Sequence, residues 1–124
     1  MTKRILVVED QEDLRGILRD LLTGSGYDVA EAANGRDGVS KAQSERPDLI
    51  LMDIQLPILD GYEATRQIKA DPNLKAVPII AVSSYALKGD EDKARAFGCD
   101  HYVTKPHSPV QLLRIIQGFL GEKV

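Results

Sequence analysis

The sequence of 124 residues holds a single cysteine, so no internal disulfide is available and stability has to come from a buried core. Cys99, between Gly98 and Asp100, has no histidine or metal-ligand spacing around it and reads as a small buried filler rather than a nucleophile. His101 and His107 also lack ligand spacing and read as surface residues. Long apolar runs are missing. The N-terminal stretch Ile5-Leu6-Val7-Val8 is too short for a signal-peptide core or a membrane span, which places the chain in the cytosol. Clustered lysine and arginine are missing as well. A net charge of -3 and a pI near 5.3 argue against a general binder of nucleic acid or acidic membranes, because neutralising phosphates takes grouped cations. There is no repeat and no low-complexity tract, and 43% hydrophobic with 28% charged residues is the composition of one globular domain spanning residues 1–124.

What is present is organised around Leu49-Ile50-Leu51-Met52-Asp53-Ile54-Gln55-Leu56-Pro57. Four apolar residues in a row after Pro47, ended by an acid, read as a strand buried on both faces of a parallel sheet. Asp53 then lies at the strand's C-terminal end, the edge where open α/β sheets bind ligands. Pro57 and the turn dipeptide Asp60-Gly61 take the chain straight out of the sheet. Taken alone, Asp53 reads equally well as the N-cap of the next helix.

The rest of the chain alternates strand-like and helix-like segments. Arg4 to Val8 is a buried-strand run followed by Glu9-Asp10-Gln11-Glu12-Asp13. Leu14, Ile17, Leu18, Leu21 and Leu22 recur at helical spacing until Gly24-Ser25-Gly26. Tyr27 to Ala32 is a short strand with Val29 its most apolar member. Asn34-Gly35 opens a weak helix through Val39 and Ala42, which Pro47 ends. A helix around Tyr62 to Ala70, with Ala64 and Ile68 inward and a basic outer face, stops at Asp71-Pro72-Asn73. Pro78 to Val82 is a fourth strand delivering Ser83-Ser84. A charged helix follows Lys88-Gly89-Asp90 and runs to Phe97, with Gly98 as C-cap. His101 to Thr104 is a fifth strand leading to Lys105-Pro106. Val110, Leu112, Leu113, Ile116 and Leu120 form the last amphipathic helix.

Five strands each followed by a helix, joined by right-handed crossovers, predict a doubly wound α/β fold: a five-stranded parallel sheet in the flavodoxin-like order 2-1-3-4-5 with helices on both faces. That order gathers Glu9, Asp10, Asp53, Ser83 and Lys105 at one rim. Clustered acids repel one another, so such a rim calls for a cation to neutralise it.

As a set, these motifs resemble the receiver domain of bacterial two-component response regulators. The resemblance covers essentially the whole chain: Glu9-Asp10, Met52-Asp53-Ile54-Gln55-Leu56-Pro57 with Asp60-Gly61, Ser83 after Pro78-Ile79-Ile80-Ala81-Val82, and Tyr102-Val103-Thr104-Lys105-Pro106. The stretch Tyr85-Ala86-Leu87-Lys88-Gly89-Asp90 looks like that of DivK-type single-domain regulators and of receivers in hybrid kinases. Two departures stand out. Serine rather than threonine occupies position 83, and Ser84 replaces the usual alanine, which bears on access to the phosphoryl group.

The resemblance implies Mg²⁺ as cofactor, held directly by Asp10 and Asp53, through water by Glu9, and by the backbone carbonyl of Gln55. It implies Asp53 as the phosphoacceptor for a sensor histidine kinase or histidine phosphotransfer protein, with Lys105 neutralising charge on the transferring oxygens. The chain is then a signalling phosphoacceptor, catalysing only its own phosphoryl transfer and hydrolysis, rather than an enzyme acting on other substrates. Ser83 is expected to follow the phosphoryl group, and Tyr102 is either half-buried packing or a rotamer switch, the second being adopted. Lys105-Pro106 reads as a cis peptide aiming the lysine inward. Gln55 and Tyr85, two residues beyond Asp53 and Ser83, are expected over the rim, where Tyr85 shields an acyl phosphate from water.

Taken singly, these residues have plainer readings: Glu9 and Asp10 as helix-initiating acids, Ser83 as a cap, Lys105 as a solvated lysine. Their joint placement at one rim favours a site. A flavodoxin-type cofactor protein is rejected, because the acidic loop after strand 1 repels phosphate. A haloacid-dehalogenase-like phosphatase needs a second acid two residues after its nucleophile, where this chain has Gln55. A receiver-fold binding module that signals without phosphorylation conflicts with the intact set of acids, hydroxyl and lysine. With no output domain expected after the last helix, output is expected through protein contacts on the face of the fourth helix, fifth strand and fifth helix, with a partner or a second copy of the chain. No direct nucleic-acid or membrane partner is expected.

Overall fold

Apolar runs bounded by turn residues become strands, and the amphipathic stretches between them become helices. The computed structural model describes residues 2–83, 90–105 and 108–121. Its elements in chain order are β1 (Arg4–Val8), α1 (Glu12–Gly24), β2 (Asp28–Ala32), α2 (Gly35–Glu45), β3 (Leu49–Asp53), α3 (Gly61–Ala70), β4 (Ile79–Ser83), α4 (Asp90–Ala96), β5 (His101–Thr104) and α5 (Pro109–Leu120). The strands form one sheet in the order β2-β1-β3-β4-β5, and every neighbouring pair is parallel. This is the doubly wound topology expected from the alternation.

Why the central strands read as unbroken apolar runs is visible in the two cores. Along β1, β3 and β4, Ile5, Val7, Leu49, Leu51 and Ile80 point to one face and meet Leu18 and Leu22 of α1 and Leu112 and Ile116 of α5. Leu6, Val8, Ile50, Met52, Ile79 and Ala81 point to the other and meet Ala42, Ala64, Ile68 and Ala94 from α2, α3 and α4. With both faces covered, alternate polar positions would each strand a polar group in hydrocarbon. Each large side chain buried this way contributes roughly 1.5–3 kcal/mol, so the core suffices without a cross-link.

Side chains set the helix starts. Asn34 accepts from the Asp37 N–H at 2.8 Å and opens α2, Asp60 accepts from the Glu63 N–H at 2.9 Å and opens α3, and Ser108 accepts from the Gln111 N–H to open α5. The cap of α3 is therefore Asp60, which leaves Asp53 free of that role. Lys69 of α3 closes the sheet's far end: its Nζ donates to the carbonyls of Lys75 and Val77 and to Asp100, which also accepts from the Ile79 N–H.

Several local expectations are corrected. Ile17 and Val110, both at helical spacing with core residues, are 59% exposed. In α1 the inward row is Leu14, Leu18 and Leu22, a strict fourfold step that leaves Ile17 one residue off the stripe, and in α5 the inward row is Leu112 and Ile116, from which Val110, two residues before Leu112, lies about 200° round the helix. β2 begins at Asp28, not Tyr27, and its core residues are Ala30 and Ala32 while Val29 is half-buried. His101 is half-buried against the edge of Phe119, with ring centroids 6.1 Å apart, instead of lying free on the surface. Cys99 is buried, as expected, with its thiol against the Thr65 hydroxyl. α4 begins at Asp90, so Lys93 and Arg95 lie on it. Ser84, Tyr85, Lys88, Gly89, Pro106 and His107 lie outside the described residues, and with them the expected shield at Tyr85 and the Lys105-Pro106 geometry. No helix among the described residues is long and apolar enough to cross a membrane.

Candidate functional site

The C-terminal ends of β1, β3, β4 and β5 bring the five singled-out residues Glu9, Asp10, Asp53, Ser83 and Lys105 to one rim. Glu9 directly follows β1, β3 ends in Asp53 and β4 in Ser83, and these three are 2%, 4% and 1% exposed, whereas Asp10 is open to solvent. Lys105 follows β5, and its backbone N–H donates to the Ser83 carbonyl at 2.6 Å, which ties its main chain to the end of β4. Its ammonium then reaches inward. Lys105 Nζ donates to Glu9 Oε1 at 2.8 Å and to Asp53 Oδ2 at 3.2 Å, and the side chain is only 13% exposed. A solvated surface lysine is thereby ruled out.

One carboxylate oxygen from each of Glu9, Asp10 and Asp53 lies within 4.8 Å of the other two. Three acids facing one ammonium leave an excess of negative charge in a mostly buried place. Burial and the neighbouring Asp53 carboxylate push the Glu9 pKa up, against the pull of Lys105. Burial by itself would lower the Lys105 pKa, but the bond to Glu9 and the field of Asp53 outweigh it, so the ammonium holds its proton more tightly than usual. Both directions express one fact: the rim is short of positive charge. Hard oxygen donors converging on one point are the ligand set of Mg²⁺ or Ca²⁺ rather than of a soft metal, so the residues fit such an ion.

The loop after β3 is built to hold Asp53 still. The Gln55 N–H donates to Asp53 Oδ1 at 3.0 Å, and the Ile54 carbonyl accepts from the N–H groups of Leu56 and Gly61. Gly61 packs so closely that a Cβ there would overlap the Asp53 carbonyl oxygen and lie 2.7 Å from the Ile54 Cα. A Cβ on Gly35, at the start of α2, would likewise overlap the Leu59 carbonyl oxygen. Ile58, at the exposed tip, takes the left-handed backbone region with φ 70°.

Two connections were not legible in the sequence. Gln55 Nε2 donates to the Ser83 hydroxyl at 2.9 Å, linking the β3 loop to the end of β4; the reading from spacing placed Gln55 above the rim but had no means of pairing its amide. Arg15 Nη1 donates to the Glu9 carbonyl at 2.8 Å from inside α1, an arginine indistinguishable in sequence from other charges on that helix. Tyr102 is half-buried against the core cluster that holds Ala81, its register partner on β4.

The model of the response regulator receiver domain family matches residues 5–117. The chain belongs to the response regulator receiver family. Among curated proteins, this receiver is 43% identical over 122 residues to the polar-differentiation response regulator DivK of Brucella anthropi, spanning 98% of this chain and 99% of that protein. The Brucella ovis DivK is 42% identical over the same length. Among solved structures, the receiver domain of a Pseudomonas aeruginosa sensor histidine kinase, described with a magnesium ion coordinated in its active site cleft, is 40% identical with a TM-score of 0.90, covering 98% of this chain and all of that one. The Vibrio cholerae chemotaxis response regulator CheY4 is 28% identical with a TM-score of 0.90, covering 96% of this receiver and 99% of that chain.

Proposed function

We propose that this receiver takes a phosphoryl group from the phosphohistidine of a sensor histidine kinase or histidine phosphotransfer protein onto Asp53, in the cytosol, and signals by phosphorylation-dependent protein binding. The observation that carries this reading is the convergence of a buried carboxylate, two further acids and a lysine that already bonds two of them. An Asp53 carboxylate oxygen forms the new bond to phosphorus while the P–N bond breaks, its electron pair returning to the donor imidazole. Lys105 is poised to neutralise charge on the transferring oxygens, and the Gln55 N–H bond orients the carboxylate. Glu9, Asp10, Asp53 and the Gln55 backbone carbonyl are the groups that would hold Mg²⁺, with exposed Asp10 and buried Asp53 as the direct carboxylate ligands and Glu9 acting through water. When bound, Mg²⁺ supplies further positive charge for the phosphoryl oxygens. The same groups serve the later hydrolysis of the acyl phosphate, so the chain catalyses only its own phosphorylation and dephosphorylation.

The test is incubation of the chain with a small phosphodonor, with Mg²⁺ or with excess chelator, followed by mass spectrometry of the intact protein. Phosphorylated chain is expected only with Mg²⁺. Equal incorporation under chelation would sink the metal assignment, and none under either condition would leave the phosphorylation-independent binding module as the better reading.

Ser83 is proposed as the coupling residue. Its hydroxyl, buried beside Gln55 Nε2, can donate to the oxygens of a new dianion on Asp53, drawing the end of β4 along and opening space for Tyr102 on β5. The surface that changes is that of α4, β5 and α5, with Lys93, Arg95 and Phe119 on it, facing a downstream protein or a second receiver. The effect is bounded by differential contacts to the phosphoryl group, about 1–3 kcal/mol of partner affinity. Ser83→Ala is expected to accept phosphoryl groups yet lose most of that gain in partner titrations run with and without beryllofluoride. An undiminished gain in the variant would move the coupling elsewhere.

A further inference from the structure

The peptide between the two acids at the end of β1 is gripped from behind by a pair that the phosphotransfer reading leaves unused. Glu9 donates its N–H to the Ala32 carbonyl at 3.0 Å, and its own carbonyl accepts from Arg15 Nη1 at 2.8 Å. The same guanidinium donates from Nε to Glu31 Oε1 at 3.3 Å, and Glu31 stands on β2 in register with Val7 of β1. Arg15 and Glu31 side chains are 19% and 30% exposed, so the pair is partly withdrawn from water. Arg19 Nη1 lies 3.6 Å from the second Glu31 oxygen and steadies it. On the other side, the Gln11 N–H donates to Glu9 Oε2 at 3.1 Å. The segment Glu9-Asp10 is thus held at its amide, its carbonyl and its side chain: Lys105 and the Gln11 N–H hold the Glu9 carboxylate, while the carbonyl is held by Arg15, which is itself anchored on Glu31 of β2.

We infer that Arg15 and Glu31 are positioning residues for the metal ligands: they orient the Glu9–Asp10 peptide, and so aim the otherwise exposed Asp10 carboxylate at Asp53. The inference rests on the metal-site reading above and deepens it. Direct charge is a poor explanation for the pair, because an arginine beside a cation site repels the cation, while the ion pair as a unit is neutral. What the arginine supplies is a planar fork that spans two acceptors at once, the Glu9 carbonyl and Glu31, which a single ammonium cannot reproduce in the same geometry. Groups that orient metal ligands without touching the metal typically account for 10- to 100-fold in affinity.

The two explanations predict opposite signs. If Arg15 acted through charge, its removal would tighten Mg²⁺ binding; if it positions the ligands, removal weakens it. The decisive variant is the double substitution Arg15→Met with Glu31→Gln, which removes one positive and one negative charge and so keeps the net charge at -3. Mg²⁺ alone is titrated into the full chain, with backbone amide shifts near residues 10 and 53 as the readout and thermal unfolding without metal run in parallel. Positioning predicts Mg²⁺ binding weakened by about tenfold in the double variant and by about threefold in the charge-conserving Arg15→Lys, which also carries the test should the double variant fail to fold. A pair that merely braced the fold would lower the metal-free unfolding temperature and leave the Mg²⁺ affinity of the folded protein unchanged. That result, or tighter binding, overturns the inference. If the unsubstituted chain shows no saturable Mg²⁺ response, the metal-site reading falls and takes this inference with it, an outcome distinct from normal binding in both proteins.

Discussion

Asp53→Asn is expected to abolish phosphoryl uptake without unfolding the protein. An amide has no carboxylate oxygen to form the acyl phosphate, and neither Glu9, held by Lys105 and the Gln11 N–H, nor the exposed Asp10 has the orientation that Gln55 gives Asp53. Incorporation from a small phosphodonor in Mg²⁺ should fall by roughly two orders of magnitude or more, as expected for loss of a nucleophile. Stability should behave differently. The substitution removes one of three clustered acids and leaves Lys105 its shorter bond to Glu9, so repulsion is relieved while the stronger contact survives. The metal-free unfolding midpoint of Asp53→Asn is therefore expected to be no lower than that of the wild type. Wild-type uptake by the variant would show that another residue is the acceptor. A marked drop in the midpoint would show that the Asp53–Lys105 contact outweighs the repulsion.

Gly61→Ala is expected to damage both the fold and the site with a single added methyl. The added carbon would overlap the Asp53 carbonyl oxygen and come within 2.7 Å of the Ile54 Cα, both backbone atoms that cannot swing aside as a side chain can. Moving α3 away is blocked too, because the Gly61 N–H bonds the Ile54 carbonyl, and Ala64 and Ile68 one and two turns on are fully buried. The φ of Gly61 is not in the left-handed region, so the objection to alanine is space alone. Overpacking against backbone of this kind costs about 2–4 kcal/mol, which lowers the unfolding temperature by roughly 10 °C in a domain of this size. Because the displaced atoms belong to Asp53 and Ile54, Mg²⁺ binding and phosphorylation should fall together with stability. An alanine variant as stable as wild type would mean that the β3–α3 loop has slack that the packing does not show.

The helix and strand pattern was legible because burial on two faces leaves a strong mark: unbroken apolar runs at Ile5-Leu6-Val7-Val8, Leu49-Ile50-Leu51-Met52 and Ile79-Ile80-Ala81-Val82 admit few readings other than central parallel strands. The weaker edge strands left weaker marks. β2 is half-buried, with alanines where a central strand would carry larger side chains, so its start was misplaced by a residue at Tyr27. Periodicity also overcounted the core, assigning Ile17 and Val110 to faces that turn out to meet solvent, since a spacing of three or four residues says that side chains share a face but not how far the neighbouring sheet extends beneath it.

By itself the sequence determined the chemistry available at the rim: which acids, which hydroxyl and which lysine end the strands, and, through the strand order, that they meet. Local spacing suffices for that because a strand's length and direction follow from its own residues. Only the tertiary structure decided which atoms pair. Lys105 reaches Glu9 at 96 residues' separation, Gln55 reaches Ser83 at 28, and Arg15 reaches both Glu9 and Glu31 at once. Those contacts depend on the register and twist of neighbouring strands and on side-chain rotamers selected by packing. Such quantities are set by the sum of many long-range contacts and leave no local pattern in the chain.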